Sequence, residues 1–173
     1  MSKNMKKNKI NVEMIAKGAV ISALYVVLTL LTYPVSYGEI GIEFRLAEIL
    51  VLLCFFNSSY TIPLTIGCLI ANLFSTLGPI DALFGSVATF LSCYCISKSK
   101  NIFIASIFPV VFNAIIVGLE LYFILDLPLI FSMIGVAIGE IVVVTIVGCP
   151  IFLMLKKRKF FTELIEMNKN KFD

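Results

Sequence analysis

Residues 129–155 read LIFSMIGVAIGEIVVVTIVGCPIFLML, a run of 27 residues in which Glu140 is the only charged side chain. Such a run is long enough to cross the roughly 30 Å hydrocarbon core of a bilayer, and there a single segment satisfies its own backbone only as a helix. Just upstream, residues 102–125 read IFIASIFPVVFNAIIVGLELYFIL, again with one charged side chain, Glu120. Asp126-Leu127-Pro128 separates the two runs and stops the first helix. These segments set the class: an all-α integral membrane protein.

Working outward, the same reading gives four more apolar segments, at 14–32, 44–56, 60–75 and 80–96. The second is short, and Gly78-Pro79 breaks the chain after the third. Ser97-Lys98-Ser99-Lys100-Asn101 is a polar turn. The organisation expected is a single membrane domain over 1–173: a basic tail at 1–13, a bundle of six transmembrane helices at 14–155, and a second tail at 156–173. The first apolar stretch is long and lacks a convincing cleavage site, so it reads as a retained span rather than a signal peptide.

Composition agrees. Of 173 residues, 60% are hydrophobic and 14% charged, against about one-quarter charged in soluble domains. Mean hydropathy is +1.02. These values exclude a soluble domain, a disordered tail and a nucleic-acid-binding module, and leave no room for a catalytic domain outside the bilayer. The five cysteines, Cys54, Cys68, Cys93, Cys95 and Cys149, all lie in apolar runs and read as small buried apolar residues. Histidine is absent, which excludes a His-ligated zinc or a His proton relay. No catalytic residues, metal site or cofactor are expected, and the protein is not read as an enzyme.

Charge sets the orientation. Lys3, Lys6, Lys7, Lys9 and Lys17 lie at the start, Lys98 and Lys100 in the turn after the fourth segment, and Lys156, Lys157, Arg158, Lys159, Lys169 and Lys171 at the end. Glu39, Glu43, Asp81 and Asp126 fall in or beside the opposite loops. Six spans put both termini on one side, and the positive-inside rule makes that side cytoplasmic.

Ionisable groups in a bilayer cost a few kcal/mol or more each, so their positions are functional hypotheses. Arg45 and Glu48, three apart, share a face at the outer end of the second span. Asn72 lies near the outer end of the third, and Asp81 opens the fourth, where an N-cap is its simplest role. Asn113 and Glu120, seven apart, share a face of the fifth; Glu120 is expected to reach the outer interface. Glu140 lies about a dozen residues into the sixth, or ~18 Å at 1.5 Å per residue, near mid-bilayer. The bland alternatives are an interfacial Arg45–Glu48 pair and interhelical amide contacts by Asn72 and Asn113. Charged groups gather in the outer half and are nearly absent below, which predicts a pocket open outward and closed inward.

Small residues spaced small-x-x-x-small mark faces where helix backbones approach closely. Gly67/Ala71 and Gly135/Gly139 are expected to pack inside the monomer; Ala19 and Ala23, with Ala16 on a similar face, suit a partner protein. A buried carboxylate facing two amides suits a planar heterocycle rich in N–H donors, such as a guanine-like edge, with aromatic side chains to stack on it. Nothing in the residues alone selects a purine over another small molecule.

Five motifs occur in order: Arg45-Leu46-Ala47-Glu48 with an apolar run behind it, Gly67-Cys68-Leu69-Ile70-Ala71-Asn72, the stretch from Asp81 to Thr89, Pro109-Val110-Val111-Phe112-Asn113, and Gly139-Glu140. Together they resemble the QueT family of queuosine-precursor transporters, substrate-binding (S) components of energy-coupling factor (ECF) importers, over about residues 14–155. Ala47 departs from that pattern, which has serine there, and implies one hydrogen bond fewer in or near the pocket.

The resemblance implies a six-helix bundle in the bacterial cytoplasmic membrane with its ligand site near the outer face. It implies as substrate a deazaguanine base, in the aminomethyl or cyano form, or queuine. It assigns Glu140 and Asn113 to reading the base, Arg45 and Glu48 to the outer wall, and Asn72 and Asp81 to completing it. It matches the Ala16/Ala19/Ala23 surface to contact with the transmembrane coupling subunit (EcfT), and adds two cytoplasmic ATPases. The chain itself has no G-x-x-x-x-G-K-[ST] phosphate loop. The competing readings are a stand-alone secondary transporter of a small heterocycle, an S component for another vitamin, a membrane enzyme using Glu48, Asp81 or Glu140, and an assembly subunit.

Overall fold

The computed structural model describes residues 12–36 and 44–165, with side chains from 12–32 and 44–165. Glu39 and Glu43, the first eleven residues and the tail from 166, with Lys169 and Lys171, lie outside the described residues. Every element is helical: α1 (Val12–Ser36), a 3₁₀ segment (Leu46–Leu52) running into α2 (Leu53–Phe56), a 3₁₀ turn (Ser58–Tyr60) leading into α3 (Thr61–Asn72), α4 (Pro79–Lys98), α5 (Ile102–Leu125), α6 (Leu129–Glu140), a π-helical segment (Ile141–Gly148), α7 (Cys149–Leu155) and α8 (Lys159–Leu164).

Four of these are long and apolar enough to cross a membrane, α1, α4, α5 and the continuous stretch Leu129–Leu155. The boundaries expected at 102–125 and 129–155 coincide with the observed ones. Local chemistry explains the stops. Asn101 caps α5, its side chain accepting from the Phe103 amide at 2.8 Å, and Asp126 ends it in the left-handed region. The second and third segments are shorter than a span. Helix α3, at 12 residues, covers only ~18 Å at 1.5 Å per residue. Gly78, with φ 54° and ψ −118°, makes the turn into α4, a conformation open to glycine, and Pro79 follows at the first helical position.

The interior and exterior are inverted relative to a soluble protein. Leu31, Ile62, Leu83, Ile107, Ile134 and Met154 face outward and are exposed, as lipid contact requires. Buried within are Arg45, Glu48, Asn72, Asp81, Asn113, Glu120 and Glu140. Consecutive helices pack on one another, α1 on α3, α3 on α4, α4 on α5 and α5 on α6, while the 3₁₀ segment fills the middle against α1, α4 and the π segment.

The two ends of the bundle differ. Where α2, α7 and α8 meet, near the lysine-bearing turns, Phe56 stacks on Phe152 at 5.8 Å and meets Phe161 edge-on at 6.2 Å. Tyr60, Ile96 and Ile102 are buried as well. This aromatic plug closes that end. Arg45 and Asp81 lie toward the opposite end, with Glu48 and Glu140 between.

Candidate functional site

The half-length segments explain where the polar groups sit. The 3₁₀ segment begins at the charged end of the bundle, so Arg45 and Glu48 stand at its start; α3 stops at Asn72, beside them in depth. Helix α4 then brings Asp81 into its first turn. Arg45 Nη2 lies 3.3 Å from Asp81 Oδ1, both side chains nearly enclosed. Asn72 Nδ2 donates to the Asp81 carbonyl at 3.1 Å and lies 3.6 Å from Cys68 Sγ. Gly85, one turn on from Asp81, leaves the room these groups need: a Cβ there would stand 2.1 Å from Asn72 Nδ2 and 3.5 Å from Arg45 Nη1.

The network continues inward. Thr89 Oγ1 is 3.2 Å from Cys68 Sγ and 3.5 Å from Glu48 Oε1, and its one proton serves one of them at a time. The Tyr25 hydroxyl, from α1, donates to the same Glu48 oxygen. Thus Arg45, Asp81, Asn72 and Glu48, expected from the sequence to lie together, belong to one connected set. Ala47 is fully buried.

Asn113 and Glu140 form a second set. Asn113 Nδ2 donates to Glu140 Oε1 at 2.8 Å, linking α5 to α6 at one depth. The bond fixes the amide's orientation, because a carboxylate accepts and only the NH₂ end donates. Asn113 Oδ1 is thereby turned elsewhere, buried and without a hydrogen-bond partner. A buried acceptor in that state is a place where a ligand N–H lowers the energy. Asn113 therefore offers an acceptor. The π segment starts directly after Glu140, and π turns recur beside functional sites.

Two expectations need correction. Asp81 is not an N-cap; Gly78 holds that position, and Asp81 turns inward to meet Arg45. Glu120 does not reach an interface; it is 2% exposed, facing the interior on the same side of α5 as Asn113. The small-residue face of α1 that packs inside the monomer is formed by Gly18 and Ser22, against Pro63 and Gly67 of α3. Gly67 and Ala71, and Gly135 and Gly139, are buried as expected. Ala16, Ala19 and Ala23 face outward.

Sequence reasoning missed Tyr25, Thr89 and Cys68. The signal for Thr89 was present: Asp81, Gly85 and Thr89 recur every four residues and share one face of α4. Tyr25 carried less signal, since a tyrosine on an apolar helix also fits the membrane interface.

Outside the polar interior, an apolar groove of about 810 Å³ runs between α1 and α3, with Ala19 and Ala23 on one bank and Ile62, Ile66 and Ile70 on the other.

A lipid-facing helical bundle with a charged, hydrogen-bonded interior at one end and an aromatic plug at the other is the architecture of a polytopic membrane carrier or binder. The model of the family described as "QueT transporter" matches residues 15–157, and the chain belongs to that transporter family. A relative, the "Queuosine precursor transporter QueT" of Lactococcus lactis subsp. cremoris (strain MG1363), is 32% identical over 139 residues, covering 70% of this chain and 80% of the relative. No solved structure matches the chain. It is a multi-pass protein of the bacterial cell membrane.

Proposed function

We propose that this chain is the substrate-binding S component of an energy-coupling factor importer and takes up a queuosine precursor, a deazaguanine base such as the aminomethyl or cyano form, or queuine. It would cross the membrane six times with both termini cytoplasmic, the short second and third segments counting as the second and third crossings. The name of the Lactococcus relative supports the substrate class. The observation that carries the reading is the buried Glu140–Asn113 pair, which holds a carboxylate and, on the other end of the amide, the unpartnered acceptor Asn113 Oδ1. A guanine-like edge presents a ring N–H and an exocyclic amine side by side, the matching donor pair.

Arg45, Glu48, Asn72 and Asp81 form the wall between this pair and the outside, on this reading. The aromatic plug supports a dead-ended pocket rather than a channel, and so favours an S component over a stand-alone secondary transporter. Release would then depend on the coupling subunit and two ATPases.

Equilibrium binding of a tritiated deazaguanine base to the purified protein tests the site. Glu140→Gln should bind about ten- to hundredfold more weakly, the order for losing a hydrogen bond to a charged acceptor. Wild-type affinity in that variant would remove Glu140 from the site.

The groove beside Ala19 and Ala23 supports a contact for the coupling subunit, since small exposed residues let a partner helix approach closely. Ala23→Trp should fill that contact from outside while leaving the interior intact. The expected result is normal ligand binding with loss of copurification of the coupling subunit; retained copurification would place the partner elsewhere.

A further inference from the structure

Glu48 is fully buried, in the middle of the bundle. Two side chains from different helices meet at one of its oxygens, Oε1: the Tyr25 hydroxyl from α1, which donates to it, and Thr89 Oγ1 from α4 at 3.5 Å. Neither belongs to the wall assigned above.

A contact of this kind is a poor device for stability alone. Taking a carboxylate out of water costs several kcal/mol or more before any partner is added, and apolar side chains of similar size commonly hold a core equally well. What converging donors do supply is geometry. One donor leaves that oxygen room to move; two, held by separate helices, restrict where it sits. Thr89 Oγ1 also lies 3.2 Å from Cys68 Sγ, which is 3.6 Å from the Asn72 amide that donates to Asp81, so the carboxylate packs against the same set of side chains as the Arg45–Asp81 pair.

We propose that Tyr25 and Thr89 are positioning residues for ligand recognition: they hold the Glu48 carboxylate in the direction from which it meets the substrate. This makes α1 part of the binding site. The inference rests on the proposed role of Glu48 in the wall of the site.

The test is equilibrium binding of the tritiated aminomethyl deazaguanine base to the full chain, with thermal unfolding measured on the same samples. Tyr25→Phe should weaken binding about tenfold while its melting temperature stays near wild type. Thr89→Val should weaken it several-fold, and Thr89→Ser, which keeps the hydroxyl, should restore it. Because both act through Glu48, adding Tyr25→Phe to Glu48→Gln should weaken binding no further than Glu48→Gln alone.

Wild-type binding by Tyr25→Phe, or full additivity in the double variant, would overturn the proposal. If Tyr25→Phe fails to fold, the comparison of Thr89→Val with Thr89→Ser decides from the α4 side, equal affinities counting against it. Weak binding by Glu140→Gln alongside normal binding by Glu48→Gln would sink this inference and leave the proposed function standing. Failure of the wild type to bind the base would remove the substrate reading, and this inference with it.

Discussion

Asp81→Leu is expected to cost the detergent-solubilised protein about 3–5 kcal/mol, among the largest single-residue effects in this fold. The reason is what remains behind. Asp81 is 2% exposed on its side chain and Arg45 only 9%, with 3.3 Å between Nη2 and Oδ1. Removing the carboxylate leaves a guanidinium in the bundle interior without the Asp81 carboxylate that it faces. The intact pair, by contrast, adds little net stability, because the desolvation of two charges nearly offsets their attraction. The double variant Arg45→Met/Asp81→Leu should therefore recover most of the lost stability. Denaturant or thermal unfolding of the four proteins in the cycle measures the coupling directly. Ligand binding should separate from stability: the double variant folds but binds poorly, since its wall has lost both charges. Full stability in Asp81→Leu alone would mean that water already reaches the pair.

Much of the fold was legible because a bilayer asks for long apolar runs and punishes exceptions. Asn101 and Asp126-Leu127-Pro128 bracket α5 with unambiguous chemistry, and the observed helix fills the space between them. The convergence of Arg45, Asn72 and Asp81 was also readable, because their positions along antiparallel segments fix their depth. Their partners were not. Depth and face periodicity place a residue on a ring around the bundle, whereas a hydrogen bond depends on rotation about each helix axis. That rotation is decided by close packing. Gly18 and Ser22, rather than Ala19 and Ala23, face α3, and only then does Tyr25 point at Glu48. Glu120 illustrates the same limit: it lies five residues before the end of α5, where a carboxylate could reach the headgroups, but the helix turns it inward. The π segment after Glu140 has no distinguishing residue pattern among the β-branched residues that form it.

That dependence on rotation makes Gly67 the residue through which α1 is aligned, and Gly67→Val is expected to damage stability and binding together. A Cβ at Gly67 would lie 2.9 Å from the Ser22 carbonyl oxygen, 3.1 Å from Ser22 Cα and 3.0 Å from Tyr25 Cβ. Two of the three are backbone atoms, which cannot swing aside, so α1 itself must back away from α3. Without a hydrophobic driving force between helices in lipid, this close backbone approach is what holds α1 in place. Two further ties act over the same contact: Gly18 rests on Pro63, and Ser22 Oγ donates to the Pro63 carbonyl. Overpacking of this kind typically costs about 1–3 kcal/mol, and valine adds two methyl groups beyond the clashing Cβ. Gly67→Ala should fall between wild type and Gly67→Val in melting temperature. Because the displaced helix carries Tyr25, binding of the deazaguanine base should fall in step with the Tyr25–Glu48 contact. Ala23→Val, on the outward face of the same helix, adds the same side chain at no packing cost and serves as the control. Wild-type melting and binding in Gly67→Val would show that α1 is held by something other than its contact with α3, and that the Tyr25 hydroxyl reaches Glu48 without it.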